Sequence, residues 1–531
     1  MSDQQTLPSG HVWFLIIAIF VGFWSRIGSV PLFDLDEGAF SEATIEMIDS
    51  GNYLSTTLNG EPRYDKPIAI YWLQAASVQV FGKSEFAFRL PSAICASLWL
   101  LLVYHFTFRQ TQERRAALVA ASAVALGVMS SIIGHAAIAD ALLNLCIAGS
   151  MLGIYRYGEV PARPTLLAVY FWMGLGFLTK GPIAVALPLL VSLVFFLMQR
   201  RPLVWLRAAF NPLGWLVFLA VVAPWVWALY QMDHGEFLRH FLIDHNLNRY
   251  ESTLQGHGGK WWYYFVALPL IVLPFTSLLP GVFARLRRPD ALDRYLLLWF
   301  LVVFAFFSFS GTQLPHYLLY GATPLFVLFG RGWRTIPSRF WTLLPALIVV
   351  AAIASMPWVL PQIVVPEQRV YEAGIVTLAA SSFTIFYYGL SGVALVALFV
   401  LMTYRRLERS DALLGAALVL TTVTMYGVLP TLAHAQQEPV QEAAQRARDL
   451  KLPVVSYRTF LPSFSVYRGE VTPNRLPAPG ELVFVRLDRI EDLQRELGGN
   501  VTLIPEFRKG GVALLLRPED SDGPPSAASP R

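Results

Sequence analysis

Asp34-Leu35-Asp36-Glu37-Gly38 opens a polar stretch that closes on Asn59-Gly60-Glu61-Pro62-Arg63-Tyr64-Asp65-Lys66-Pro67. It follows directly on an apolar run, His11 to Val30, that is long enough to cross a bilayer. Most of what comes after it is apolar as well. Carboxylates and cations gathered at the end of a membrane-length run are expensive to keep there, so they mark a candidate functional site.

Outward from that stretch the composition is that of a membrane protein. The 531 residues are 55% hydrophobic and only 15% charged, where a soluble chain carries about 25% charged residues. The net charge of +5 does not point to nucleic acid, because the arginines sit in short loops between apolar runs. Cys95 and Cys146 both lie inside apolar runs, which argues against a disulfide framework. The first apolar run is too long for a signal-peptide core and lacks a small-residue cleavage site, so it is expected to remain as a span.

Runs of membrane length recur near 11–31, 86–108, 115–134, 136–155, 165–180, 182–199, 206–230, 262–284, 294–310, 313–330, 340–362, 383–404 and 411–430. They predict an α-helical polytopic membrane protein with about 13 transmembrane helices. Arginines cluster in alternate short loops: Arg109, Arg114 and Arg115; Arg156 and Arg163; Arg200, Arg201 and Arg207; Arg285, Arg287 and Arg288; Arg331, Arg334 and Arg339; Arg405, Arg406 and Arg409. By the positive-inside rule these loops and the N-terminus are cytoplasmic. Residues 33–85 and 231–261 then form outer-face loops with interfacial helices, periplasmic in a bacterium with two membranes. Residues 1–430 are expected to be the transmembrane catalytic domain. Residues 431–517 read as a small C-terminal periplasmic α/β domain: an amphipathic helix over Gln436–Leu450, then short strands at Pro453–Tyr457, Leu482–Leu487, Val501–Ile504 and Val512–Leu516. Residues 518–531, rich in Ser, Pro and Asp, read as a disordered tail.

Within the first outer loop, Ala39, Phe40, Ala43, Met47 and Ile48 share one helical face and Glu42, Glu46 and Asp49 another. This predicts an amphipathic helix along the interface, stopped at Gly51. Asn59-Gly60 marks a turn, and Tyr71 and Trp72 suit the headgroup level. Asp36 has two readings, an N-cap of that helix or a working carboxylate. Its neighbours Asp34 and Glu37 favour the second, because three carboxylates at a low-dielectric boundary raise one another's pKa unless cations compensate. Lys66 reads as a snorkelling anchor or, fixed between Pro62 and Pro67 beside Arg63, Tyr64 and Asp65, as a phosphate-binding cation. Asp140 lies at the start of a span, as a functional carboxylate or a cap. Lys180 lies in the Thr179-Lys180-Gly181-Pro182 turn. Asp244, His245 and Arg249 share a face of the second outer loop, where Arg can fork onto phosphate oxygens or simply be solvated. Tyr317, in Gln313-Leu314-Pro315-His316-Tyr317, caps a lipid-phosphate site or is an interfacial aromatic.

Together these motifs resemble the GT-C polyprenyl-phosphate-sugar glycosyltransferases, most closely the bacterial branch containing the 4-amino-4-deoxy-L-arabinose transferase of lipid A, with protein O-mannosyltransferases as more distant relatives. The resemblance is carried by Asp36-Glu37-Gly38-Ala39-Phe40, Asn59 to Pro67, Tyr71-Trp72, Phe177-Leu178-Thr179-Lys180-Gly181-Pro182 and Gln313 to Tyr317. It implies a sugar donor on undecaprenyl phosphate and an acceptor that is lipid A, another glycolipid or a protein. It also implies Asp36, with Glu37 beside it and Asp140 in the same cavity, as the catalytic carboxylates. Lys66, Arg63, Arg249, Lys180 and Tyr317 then surround the donor phosphate. The sequence departs from the family at Phe40, where an aromatic hydroxyl is usual, and at Gln313, where a Lys is usual.

The expected reaction is a single inverting displacement at the anomeric carbon. No P-loop or Gly-rich nucleotide fingerprint is present, so no nucleotide cofactor is expected. Asp65, Asp244 and His245 are candidate ligands for a divalent metal ion, with spacing that is a weak metal signature. A secondary transporter is the rival from another class. It needs midplane charges and matched halves; this sequence shows no internal repeat, and its candidate site charges gather at one face instead of the midplane. A noncatalytic membrane scaffold leaves the carboxylates unexplained.

Overall fold

The computed structural model describes residues 9–241, 260–498 and 501–519. Among these the chain is mostly helical, as the apolar runs predict. Six helices are long and apolar enough to cross a membrane: Glu85–Thr111, Pro212–Asp233, Ala291–Ser308, Arg339–Gln362, Ile385–Thr403 and Arg409–Gln436. Two further runs are broken. Arg114–Leu126 and Val128–His135 meet at 59°, and Tyr263–Ile271 and Phe275–Arg285 at 112°, which makes eight if each bent pair is one span. The other five expected runs, near 11–31, 136–155, 165–180, 182–199 and 313–330, fold as helices that do not meet the length and composition criteria, so these criteria do not reach the expected count of about 13 spans.

The arginine-rich loops interlock at one end of the helices. Arg115 pairs with Asp411 at 3.0 Å and Arg334 with Glu113 at 3.2 Å. Arg331 bridges to Asp290 and Asp293, and Arg339 donates to the Tyr404 carbonyl at 2.6 Å. Four loops far apart in sequence thus share one surface, as their common charge pattern predicts.

At the first outer loop, Asp36–Ser50 forms a helix that ends on Gly51 in the left-handed region, φ 68°. Strands β1, Thr56–Leu58, and β2, Glu61–Arg63, pair antiparallel. Asn59 and Gly60 supply the two positive φ values that the tight turn between them requires. The Asp36–Ser50 helix does not lie along an interface with a solvated face. Every residue from Glu37 to Met47 is buried. Its polar face is covered by the hairpin, where Glu46 accepts from Thr57 and from the Gly60 amide, and its other side carries Phe40 stacked on Tyr71 at 5.3 Å. Tyr71 is likewise fully buried rather than placed among headgroups. A helical pattern of charges shows which residues share a face, and here that face meets protein.

Near the C-terminus, the helix Glu438–Leu450 leads into a four-stranded sheet ordered β3-β4-β6-β5. β3, Val454–Ser456, runs parallel to β4, Leu482–Arg486. β4 and β5, Ile504–Lys509, each pair antiparallel with β6, Val512–Leu516. Three strands fall where alternation and β-branched content place them; the third in sequence begins where the apolar Val501–Ile504 run ends. This sheet region sits on the first outer loop. Ser463, at the start of the short helix Ser463–Arg468, donates its amide to Asp34 at 3.0 Å and its hydroxyl to the same carboxylate. Tyr467 accepts from the Leu32 amide at 2.6 Å. Gly38 makes the approach feasible, since a Cβ there would stand 2.1 Å from the Asp34 carboxylate and 2.7 Å from the Ser463 nitrogen.

Candidate active site

The three acids at Asp34, Asp36 and Glu37 do not act as a cluster; the fold points them three ways. Asp34 serves the Ser463 contact. Desolvation raises its pKa to about 7, against the hydrogen bonds from Ser463. Glu37 is buried in an ion pair with Arg89 at 2.7 Å, and its carboxylate also accepts from the amides of Phe33 and Ala137, at 2.8 and 2.7 Å. Arg89 in turn ties down the carbonyls of Ile27, Val30 and Pro31. Glu37 is thereby a fastening between the loop and the helix Glu85–Thr111. The expectation that it works as a catalytic acid is corrected by its saturated hydrogen bonding. Asp36 is the remaining acid. It is the first residue of its helix, the N-cap is Leu35, and no side chain caps the helix. The capping role is therefore not the one it plays. Among the described residues its carboxylate is exposed and makes no hydrogen bond or ion pair.

A second polar centre forms where Asp140 begins the helix Asp140–Glu159 and Lys180 ends the helix Arg163–Lys180. Neither Asp140 nor any other side chain caps that helix. Asp140 instead meets the Lys180 ammonium at 2.8 Å and the Tyr320 hydroxyl at 2.6 Å, and Lys180 reaches the same hydroxyl at 2.6 Å. Lys180 also lies 5.3 Å from the ring centres of Tyr317 and Tyr320. Tyr320 was not singled out from the sequence, yet the signal was present. Pro315–Gly321 folds as a 3₁₀ helix, and residues three apart eclipse in that geometry, so Tyr317 and Tyr320 stack, 6.1 Å between centroids. Arg89 and Ser463 were also missed, because their partners are distant in sequence.

His316 links the two centres electrostatically. It feels the charges of Asp140, Lys180, Asp36 and Lys66. Asp36, Arg26 and His316 line a cleft of about 390 Å³ whose other walls are largely apolar, among them Met129, Ile132, Ile133, Met425 and Leu429. A charged head beside a long apolar wall is what a lipid-borne substrate needs.

Lys66 is half-buried and donates to the Asp65 carbonyl at 3.2 Å. Arg63 is not available to a donor phosphate as expected. It is turned inward, donates to the Ala39 carbonyl at 2.6 Å, lies 5.0 Å over the Phe40 ring, and stands 3.5 Å from the Asp65 carboxylate. Asp244, His245 and Arg249 lie outside the described residues. Of the three candidate metal ligands only Asp65 is described, and it faces Arg63. No group of three His, Cys, Asp or Glu side chains suited to a metal ion occurs among the described residues. Gln313 is buried and donates to the Ser308 carbonyl at 2.9 Å.

The overall arrangement has a close structural counterpart. The crystal structure of ArnT from Cupriavidus metallidurans bound to undecaprenyl phosphate superposes with a TM-score of 0.81, covering 97% of this chain and 99% of that one at 20% sequence identity. The chain shares the fold of that structure. Residues 65–227 match the family described as dolichyl-phosphate-mannose-protein mannosyltransferase, a segment that contains Lys66, Asp140 and Lys180. The undecaprenyl phosphate-α-4-amino-4-deoxy-L-arabinose arabinosyl transferase 2 of Pseudomonas fluorescens is 30% identical over 376 residues, 67% of this chain and 63% of that protein. The corresponding transferase of Aeromonas hydrophila is 32% identical over 307 residues, 56% of this chain and 55% of that protein. Less than two thirds of either relative's length is matched. On this fold the chain is a multi-pass membrane protein in which His316 stands between Asp36, with which it lines the cleft, and the Asp140–Lys180–Tyr320 group.

Proposed function

We propose that this protein is a membrane glycosyltransferase that moves a sugar from undecaprenyl phosphate to lipid A or another envelope glycolipid. The observation that carries the reading is the Asp36 carboxylate, without a partner among the described residues, in an apolar-walled cleft beside a histidine that feels Lys66, Asp140 and Lys180. The relatives named as arabinosyl transferases support a 4-amino-4-deoxy-L-arabinose donor. The arginine-rich end then lies in the cytoplasm of the inner membrane, with the cleft and the C-terminal sheet on the periplasmic side.

The donor enters sideways from the bilayer, its tail along the apolar wall. An acceptor oxygen attacks the anomeric carbon from the face opposite the lipid phosphate. The new carbon–oxygen bond forms as the bond to the phosphate oxygen breaks, and the configuration inverts. Asp36 orients the acceptor and takes its proton if a proton is carried. Undecaprenyl phosphate leaves with the bonding electrons. Lys66 offsets the charge that builds on it, a role the sequence resemblance also gives Arg249. Asp140 holds Lys180 and Tyr320 in place, so that Tyr317, over which Lys180 sits, closes on the site in a fixed pose.

The match to the mannosyltransferase family over residues 65–227 favours a second reading, transfer of a hexose to protein. Mass spectrometry of the envelope of a deletion strain separates the two. The first reading expects a glycolipid that loses one sugar and regains it with the wild-type gene. A glycolipid profile unchanged beside a protein stripped of hexose would overturn it.

A further inference from the structure

Outside the cleft, a cavity of about 790 Å³ lies between the first outer loop and the C-terminal sheet region. That volume is within the ~300–1,000 Å³ of ordinary small-molecule sites. Lys83, Arg448, Lys451 and Arg468 line it, against Glu85 and Glu470. Lys83 pairs with Asp49 at 3.0 Å and Arg468 with Glu470 at 2.6 Å. Arg448 and Lys451 have no ion pair among the described residues. The positive surplus therefore falls on the last turn of Glu438–Leu450 and the residue that caps it.

The cavity also adjoins the first turn of a helix of membrane length. Ser84 caps the helix Glu85–Thr111, one of the helices of membrane length, and both Ser84 and Glu85 line the cavity. Beside Lys83, Val80 and Phe81 are 74% and 54% exposed. Cations next to exposed apolar side chains suit a lipid headgroup better than a free anion. Leu32 lines this cavity, and Asp36, four residues on, lines the cleft. Four residues of chain reach at most ~14 Å, a separation that a phosphorylated saccharide headgroup can cover.

We propose that this cavity binds a phosphate of the acceptor glycolipid and so holds the far end of its headgroup while the near end meets Asp36. The word acceptor rests on the function proposed above; the phosphate site does not. The test uses the full-length protein in nanodiscs and the pair Arg448→Gln with Lys451→Asn. Both residues are exposed, and Asn tolerates the left-handed backbone of Lys451, φ 54°. The probes, followed by native mass spectrometry, are a bis-phosphorylated acyl-disaccharide lipid, its dephosphorylated form, phosphatidylglycerol, inorganic phosphate and undecaprenyl phosphate. The wild type should hold the phosphorylated glycolipid at least tenfold tighter than the dephosphorylated one, and the double variant should lose that preference while holding undecaprenyl phosphate unchanged. A preference kept by the variant overturns the site. Equal competition by phosphatidylglycerol makes it a general anionic-lipid patch, and competition by inorganic phosphate makes it a free-anion site; either also overturns the proposal. If the preference is lost as expected but the wild type transfers no sugar to any glycolipid, the proposed function fails and the phosphate site stands.

Discussion

Two aspartates each open a helix at the same end of the molecule, and the fold treats them oppositely. Asp36 begins Asp36–Ser50 exposed and without a hydrogen-bonding partner among the described residues. Asp140 begins Asp140–Glu159 buried, with an ammonium and a phenol hydroxyl on it. Position in a helix is the same, so helix geometry does not explain the difference. What differs is the company: Asp140 carries the Lys180 ammonium and the Tyr320 hydroxyl, while Arg89, which lines the cleft with Asp36, is committed to Glu37. A carboxylate left open to the cleft is available for chemistry, and a saturated group is a fixed point for others.

The sharpest break of this comparison is in turnover. Asp36→Asn should lower sugar transfer by about 10²–10⁴-fold, the usual contribution of a positioned base, with thermal stability unchanged because its carboxylate has no hydrogen bond or ion pair among the described residues. Full activity in the purified variant, measured with radiolabelled donor, would remove Asp36 from the mechanism. Asp140→Asn should behave in the opposite way and lower both activity and stability.

Removing the other half of the buried pair is next in size. Lys180→Met leaves Asp140 without its cation, and breaking one partner of a buried pair costs about 3–5 kcal/mol. Thermal unfolding in detergent should fall accordingly, while Lys180→Met combined with Asp140→Asn should recover part of the loss. If the single variant unfolds like the wild type, the pair is not the fixed point argued here.

These two aspartates also show what the sequence could and could not convey. Apolar length set the fold class, and alternating arginine loops set the two ends, because both signals are local. Asp36, Lys66, Asp140, Lys180 and Tyr317 were recognisable as residues of the right chemistry. Their partners were not, since Asp140 and Lys180 are forty positions apart and Asp34 meets Ser463 from the far end of the chain. Glu37 and Arg63 hold structural partners that the sequence does not show for the same reason, Glu37 on Arg89 and Arg63 on the Ala39 carbonyl. The charged face of Asp36–Ser50 looked solvated because a helical pattern does not show what covers it.

A smaller effect tests whether the C-terminal contact holds the Asp36 end in place. Gly38→Ala puts a methyl into the Asp34–Ser463 junction, where the nearest atoms stand at 2.1 and 2.7 Å. Overpacking of this kind costs about 1–3 kcal/mol. It should appear as faster hydrogen exchange in Ser463–Arg468 and reduced turnover, with the Arg331–Asp293 end unaffected. Unchanged exchange at Ser463 would separate the junction from the site.

The smallest expected effect is the pH dependence of that same junction. Asp34 has its pKa raised from 3.8 to about 7 by desolvation, with Glu37 adding to the rise and Ser463 opposing it. A carboxyl whose folded pKa lies above its unfolded value is bound more tightly by a proton in the fold. Its contribution to stability is therefore fully present below about pH 4 and is lost as pH rises through about 7. Glu42, on the same helix, is raised to about 8 by burial and by Glu46, and shifts the balance in the same direction. Protection of the Ser463 amide against exchange, corrected for intrinsic rate, should thus decline from about pH 4, the ordinary carboxyl value, to about 8, the higher of the two raised values. Asp34→Asn removes one of the two groups and should flatten the profile in part, whereas Glu42→Gln should leave the portion near pH 7. A profile that is identical in wild type and Asp34→Asn would mean that the proton sits elsewhere, and the junction would then be held by the geometry of Gly38 and Ser463 alone.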